Sequence, residues 1–389
     1  MTLHSRHKAA TSWVEVDTMA LLANLHAFHR RIGPKVEFVH VVKSNAYGHG
    51  LELVAREDEA AGIVHRLAVI SVDELLRVRA AGVRLPVMIL GYVPPAAWPA
   101  LVDAEGTPVI TSVESAERFN EAAMKRGREL KVHIKIETGT NRYGVEGDEL
   151  LNLAARIAAL PAVRLEGVST HYANIEDTTD HTYARAQMER FQDACTALER
   201  AGSGPLLRHT ACSAATLLFP ESHMDLVRVG VASYGIWPSK ETKVSAGHIE
   251  GANLDLRPVL TWKTRVAQVK QVPAGSFVGY GCSWRAPVDS RLAVLPVGYA
   301  DGYDRQLGNA AHVLIRGQRA PVRGRVCMNV CMADVTHIPD AAVEDEVVLL
   351  GKQRDDRVSA EQLAGWCDTI PYEILARIGE HLPRVRTQG

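Results

Sequence analysis

The run VEFVHVVKSNAYGHG, Val36 to Gly50, brings a single amine, Lys43, to the end of an apolar stretch in which five of seven residues are valine or phenylalanine. Small and polar residues follow at once. A lysine delivered this way becomes a nucleophile or a base once its surroundings disfavour the ammonium form. Four other segments place polar groups just after an apolar run. KIETGTNRYG carries Lys135 and Arg142, STHYAN carries His171, HTACSAAT carries Ser213, and VRVGVASYG carries Arg228 and Gly230. Singly, each has an ordinary explanation: a scaffold histidine, an ion-paired arginine, a glycine at a tight turn. Convergence on one rim would change that reading.

The elements that must position these groups are strands alternating with amphipathic helical patterns. Apolar runs at Val36–Lys43, Leu67–Ile70, Val87–Leu90, Pro108–Ile110, Val132–Glu137, Leu165–Thr170, Leu207–Thr210 and Leu226–Val229 predict eight strands. Between them lie helical segments such as SVESAERFNEAAMKRG, with Ser112 and Ser115 as an N-terminal cap, and DELLNLAARIAAL. Repeated strand-then-helix units over about 250 residues predict a parallel (β/α)8 barrel of the TIM type, which sets chemistry at the C-terminal ends of its strands. After Tyr234 the texture changes. A polar connection leads into short, partly alternating runs (VLTWKTRVAQVKQV, RLAVLPVGY, AHVLIRG, RVCMNVCMADV, EDEVVLLG), with no long helical pattern before Ser359–Trp366. Residues 1–240 therefore read as the barrel domain and 241–389 as a mostly antiparallel β domain.

Composition narrows the function classes. The 389 residues carry a formal net charge of −1, so no nucleic-acid or anionic-membrane partner is expected. No run approaches the roughly 20 apolar residues of a membrane span, and the polar start lacks a signal-peptide core. The six cysteines are scattered without metal-ligand spacing, which predicts reduced thiols, a cytoplasmic protein and no metal.

An amine that does covalent work suggests a Schiff base with an aldehyde cofactor, and pyridoxal 5′-phosphate is the obvious one. Its phosphate would be met by Ser213, Tyr47 and the Gly230 and Val231 amides. Read with these roles, VVKSNAYGHG, TGTNRYG, THYAN and VRVGVASYG resemble the motifs of the alanine racemase family, as do GYGCSW, VGYADGY and RVCMNVCMADV in the second domain. The likeness runs in order from about Trp13 to Val385.

The resemblance implies a two-base racemisation of alanine. Lys43 would hold the cofactor and serve as base on one face, and Tyr280 would serve on the other, supported by a His171–Arg228 relay. To work near neutrality, a lysine must lose about 3 units from its ordinary pKa, or about 4 kcal/mol. Arg228 would face the pyridine nitrogen and, since it keeps its proton, leave that nitrogen unprotonated. Arg142 and the Met328 amide would hold the substrate carboxylate, Lys135 would be the lysine that relatives often carbamylate, and Tyr299 would stand where substrate is admitted. Tyr280 implies a homodimer with shared active sites. Three positions depart from the family pattern: Asn329 for aspartate, Cys212 for asparagine, and Glu380 where a tyrosine confining the pocket is expected. They leave serine or a broader range of small amino acids open as substrate. A barrel lyase (aldolase or decarboxylase) and a non-enzymatic carrier of the cofactor are the remoter alternatives.

Overall fold

A computed structural model describes residues 9–388. By its contacts the chain forms two compact units. One comprises residues 21–46 and 54–257; the other comprises the described residues before Leu21, residues 47–53, and those from Pro258 onward.

In the first unit eight parallel strands follow one another around a nearly closed barrel. They are β2 (Glu37–Val41), β3 (Arg66–Val69), β4 (Val87–Ile89), β5 (Gly106–Ile110), β6 (Leu130–Lys135), β7 (Val163–Ser169), β8 (Leu207–His209) and β9 (Leu226–Val229). The sheet order is β8-β7-β6-β5-β4-β3-β2-β9. Between its two ends, Asp225 donates to the Arg208 carbonyl at 3.2 Å and Arg228 to that of Ala211 at 2.9 Å. The expected (β/α)8 barrel is therefore present, each strand within two or three residues of its predicted place.

Helix Val113–Met124 starts where Ser112 accepts the Ser115 N–H, as its sequence implied. The polar connection after Tyr234 contains helix Lys240–Ala246, capped by Ser239.

One strand end differs from expectation. β2 stops at Val41, and Lys43 opens a separate turn instead of ending the strand. Val42 makes the last ladder bond, N–H to the Ala68 carbonyl at 2.8 Å, and Ala46 N–H then folds back onto the Val42 carbonyl at 2.8 Å. Ser44, Asn45, Ala46 and Tyr47 all adopt left-handed backbone, with φ between 51 and 55°. Each such non-glycine residue costs about 1–2 kcal/mol, so the turn stores strain that its surroundings must offset.

The second unit is mostly antiparallel. A seven-stranded sheet has the order β16-β15-β18-β10-β1-β20, with β19 pairing β18. Its strands are β1 (Ser12–Asp17), β10 (Leu260–Arg265), β15 (His312–Ile315), β16 (Gln318–Pro321), β18 (Glu346–Gln353), β19 (Asp356–Val358) and β20 (Arg384–Thr387). The first described strand, β1, is thus part of this unit, antiparallel to β10 and parallel to β20. Two smaller sheets complete it: β11 (Gln268–Val272), β14 (Ser290–Leu295) and β17 (Cys331–Asp334) form one, and β12 (Phe277–Val278) pairs with β13 (Trp284–Arg285). Helix Ala360–Trp366 begins with a reciprocal capping box, Ser359 with Gln362. No described helix is long and apolar enough to cross a membrane.

Candidate active site

The strained turn after β2 is held by the helix Val72–Ala80. Glu74 accepts the Asn45 N–H at 3.2 Å through one carboxylate oxygen and the Ile70 N–H at 2.9 Å through the other. Arg77 donates to the Asn45 side-chain oxygen at 3.1 Å. Asparagine is among the few residues that tolerate the left-handed region, and buried Ala46 leaves no bulk to clash there. The turn presents a half-buried Lys43. Burial first, then the nearby Arg142 charge, lowers its pKa, with Glu74 opposing.

Four further strand ends supply Lys135 and Arg142, His171, Ser213 and Arg228. Burial, followed by Arg228 and Arg142, holds Lys135 well below its ordinary value. His171 is held well below its own by burial and by Lys135, Arg228, Arg142 and Lys43, so it stays neutral. The carboxylates acting on these groups are Glu74 on Lys43 and Glu137 on Lys135. Such a cationic barrel end is suited to bind anions.

Arg228 is 6% exposed and has no carboxylate partner among the described residues. Through Nη1 it donates to His209 Nδ1 at 2.5 Å and to the His209 carbonyl at 3.0 Å. Through Nη2 it donates to the carbonyls of Thr170 at 2.8 Å and Thr210 at 3.1 Å, with His171 Nδ1 at 3.5 Å. These contacts occupy the four Nη protons and leave Nε–H for another acceptor. Burial lowers Arg228 to about 10, so it remains charged at neutral pH.

Arg142 is exposed, on a loop fastened from below. The Glu137 carboxylate accepts the Gly139 N–H at 2.5 Å and the Thr140 N–H at 2.7 Å. Gln187, fully buried on helix Thr182–Arg200, donates to Thr138 Oγ1 at 3.2 Å, Thr140 Oγ1 at 3.3 Å and the His171 carbonyl at 3.1 Å. Sequence reasoning passed over Gln187, because a glutamine mid-helix carries no motif.

Ser213 Oγ accepts the Gly230 N–H at 3.0 Å, which leaves its own proton to donate. Val231 N–H opens the 3-10 turn Val231–Tyr234 and has no acceptor within it. Cys212 is held up to about 11 by burial, so it is a thiol. The group implied by the sequence, an aldehyde bearing a phosphate and a pyridine ring, fits these residues. Lys43 is shifted toward the free amine that forms an imine, Ser213 and Val231 offer donors to a phosphate, and Arg228 keeps one N–H for a ring nitrogen.

The remaining candidates lie in the second unit. Tyr280 is 73% exposed on a 3-10 turn between β12 and β13, flanked by Gly279 and Gly281, both at φ 73°. Tyr299 and Met328 are neighbours: Tyr299 N–H donates to the Cys327 carbonyl at 3.1 Å, and Ala300 N–H to the Met328 carbonyl at 2.9 Å. Asn329 is exposed beside Met328. Tyr47 packs its ring 6.3 Å from that of Tyr372. Gly48, at φ 83°, has no room for a side chain, since a Cβ would come 2.2 Å from the Leu375 carbonyl oxygen. Glu380 is exposed beyond helix Pro371–Ala376. The aromatic residue beside Tyr47 is Tyr372, which the sequence reading did not single out.

Comparison with known proteins is consistent along the whole chain. Residues 16–238 match the family described as alanine racemase, N-terminal domain, and residues 259–386 match alanine racemase, C-terminal domain. The chain is 42% identical over 373 residues to an alanine racemase of Desulfovibrio desulfuricans, covering 96% of this chain and 97% of the relative. An alanine racemase of Bacillus anthracis, solved with bound L-Ala-P, superposes with a TM-score of 0.90 at 33% identity, covering 97% of this chain and 95% of the other. One from Bartonella henselae, solved with covalently bound pyridoxal phosphate, gives 0.82 at 26% identity, covering 97% and 100%.

Proposed function

The chain belongs to the alanine racemase family, and from that premise we propose that it interconverts L-alanine and D-alanine using pyridoxal 5′-phosphate bound through Lys43. The observation that carries the reading is the barrel end itself, where a lysine lowered by burial lies in the field of Arg142 and where Arg228 keeps a single uncommitted N–H.

When bound, the cofactor withdraws electrons from the substrate Cα and so makes its proton removable. Lys43, free as a neutral amine, takes or returns that proton on one face. The Tyr280 phenol does so on the other, and neutral His171 with Arg228 relays charge to it. Arg228, through its uncommitted Nε–H, would donate to the pyridine nitrogen of the cofactor. Because an arginine does not give up that proton, electron withdrawal stays limited, and reprotonation is favoured over loss of a carbon fragment. Arg142 and the Met328 amide hold the substrate carboxylate. Tyr47, Ser213 and the Val231 amide would hold the phosphate, whereas Gly230, expected to share in this, gives its N–H to Ser213 Oγ and only shapes the turn.

Burial and the Arg228 and Arg142 charges shift Lys135 toward the free amine, the form that adds CO2 with loss of one proton, and the resulting carbamate would pair with Arg142. Tyr299 and Asn329 govern substrate admission, and Tyr372 packs its ring beside that of Tyr47. The reading includes a cytoplasmic homodimer in which each copy's exposed Tyr280 serves the other's barrel.

The test is chiral chromatography of L-alanine, and separately of L-serine, after incubation with the protein and pyridoxal 5′-phosphate in D2O. Deuterated D-alanine, with serine slow, is expected. Equal turnover of serine would replace the assignment with a broader racemase. Release of a one- or two-carbon fragment would replace it with a lyase.

A further inference from the structure

His40 and Asp58 occupy places where a barrel protein usually buries apolar side chains, one on β2 and one on the helix Leu51–Ala61 outside it. Both are fully buried. His40 Nδ1 lies 2.7 Å from Asp58 Oδ2, and His40 Nε2 lies 2.6 Å from Ser233 Oγ. Ser233 Oγ is in turn 2.5 Å from the Gly230 carbonyl oxygen, which also accepts the Ser233 N–H at 2.9 Å. None of these three side chains enters the chemistry described above. A buried acid–imidazole pair is a costly substitute for packed hydrocarbon, and Asp58 Oδ1 finds no hydrogen-bond partner among the described residues.

The proton inventory gives the chain a direction. Two oxygens 2.5 Å apart need a proton between them, so Ser233 donates to Gly230. Its hydroxyl has no second proton, so His40 Nε2–H must donate to Ser233 Oγ. Another proton lies between His40 Nδ1 and Asp58 Oδ2. Asp58 and His40 together are then neutral in sum, which is how two buried ionisable groups avoid an uncompensated charge.

The chain ends on a peptide plane that matters. In a trans peptide the carbonyl and the following N–H point opposite ways. Two hydrogen bonds fixing the Gly230 carbonyl therefore also fix the direction of the Val231 N–H. On the other side of Gly230, its own N–H is fixed by Ser213 Oγ. We infer that Asp58, His40 and Ser233 are positioning residues that aim the Val231 amide, and so set how firmly the barrel grips the cofactor's phosphate. The inference rests on the assignment of the Ser213–Gly230–Val231 turn to that phosphate.

The experiment uses the full chain stripped of cofactor and titrated with pyridoxal 5′-phosphate and, separately, with pyridoxal, following imine absorbance. Asp58→Asn cannot supply the same proton balance, and Ser233→Ala removes the link with little loss of packing. Each is expected to weaken pyridoxal 5′-phosphate binding by about tenfold, the worth of one well-made hydrogen bond to a charged group, and to leave pyridoxal binding unchanged. The 31P resonance of the bound phosphate should shift in both variants. The double variant should cost no more than either single one, as expected for members of one chain.

Equal losses for both ligands, or an unmoved 31P resonance, would reduce the chain to a packing feature and overturn the inference. Failure of the phosphate assignment has a different signature. The unsubstituted chain would then bind pyridoxal as well as pyridoxal 5′-phosphate, and Ser213→Ala would change neither.

Discussion

The Arg228 guanidinium donates to Nδ1 of His209 across 2.5 Å, deep in the barrel. Since arginine only donates, His209 Nδ1 carries no proton and its Nε2 must carry one. That proton points at His133 Nδ1, 2.8 Å away, and His133 Nε2–H then points at Glu166 Oε2, 3.2 Å away. Burial first, then the neighbouring Arg228 charge, holds His209 well below its ordinary pKa. Burial lowers that of His133. Both rings are therefore neutral, each in one tautomer, and the line runs from Arg228 to a carboxylate also bound by Arg66 at 2.7 Å and Lys131 at 3.0 Å.

Glu166 is the acceptor on which that line ends. Although burial opposes it, His133, Lys131 and Arg66 together hold its carboxyl far below the usual range. A depressed acid stabilises the fold above its unfolded pKa, and the contribution is lost as pH falls through the folded value. Glu166→Ala is expected to cost about 3–5 kcal/mol at neutral pH, because it leaves buried partners uncompensated. In urea titrations the difference from the unsubstituted chain should be flat above about pH 5 and shrink below about pH 4. A difference that grows on acidification would contradict this account.

Gln187 binds the two threonines of the Arg142 loop and the carbonyl of His171. Gln187→Leu keeps the bulk and removes four hydrogen bonds, the three it donates and the one its Oε1 accepts from the Ala173 N–H, so the loop should loosen. A rise in KM of about tenfold, with kcat falling less, is expected in steady-state kinetics if Arg142 holds the substrate carboxylate. An unchanged KM would mean that Arg142 does not contact substrate.

Arg228→Glu places an acid where the charged donor stands and would let a pyridine nitrogen take a proton. Racemisation should fall by about a hundredfold or more, and a transamination product, pyruvate, should become detectable by coupled assay. Loss of racemisation with no new product would show that Arg228 acts only through the fold.

The eight strands were legible because parallel barrel strands are short, apolar and β-branched, and Val36–Val42 and Leu226–Val229 are such runs. Lys43, Arg228 and Ser213 were legible because each follows such a run. The left-handed turn was not. Its usual signal is glycine, yet Ser44–Tyr47 contains none, and the conformation is imposed by Glu74 and Arg77 on another helix. The polar lines through His133 and His209, and through His40 and Asp58, were also hidden. Their members are single residues on separate elements, and no local period announces them. Tyr372 escaped for another reason: no local pattern in IPYEILARIGEHLPRV marks it, and only its ring packing against Tyr47 brings it to notice.

The central claim is that two residues, Lys43 and Tyr280, each work one face of the substrate. The most direct measurement is α-proton exchange into D2O by Tyr280→Phe, followed separately for L-alanine and D-alanine by proton NMR. The account predicts that exchange without inversion persists for the enantiomer served by Lys43 and falls by at least about a hundredfold for the other, while racemisation is lost. Equal exchange from both enantiomers at undiminished rate would contradict it and remove Tyr280 from the reaction.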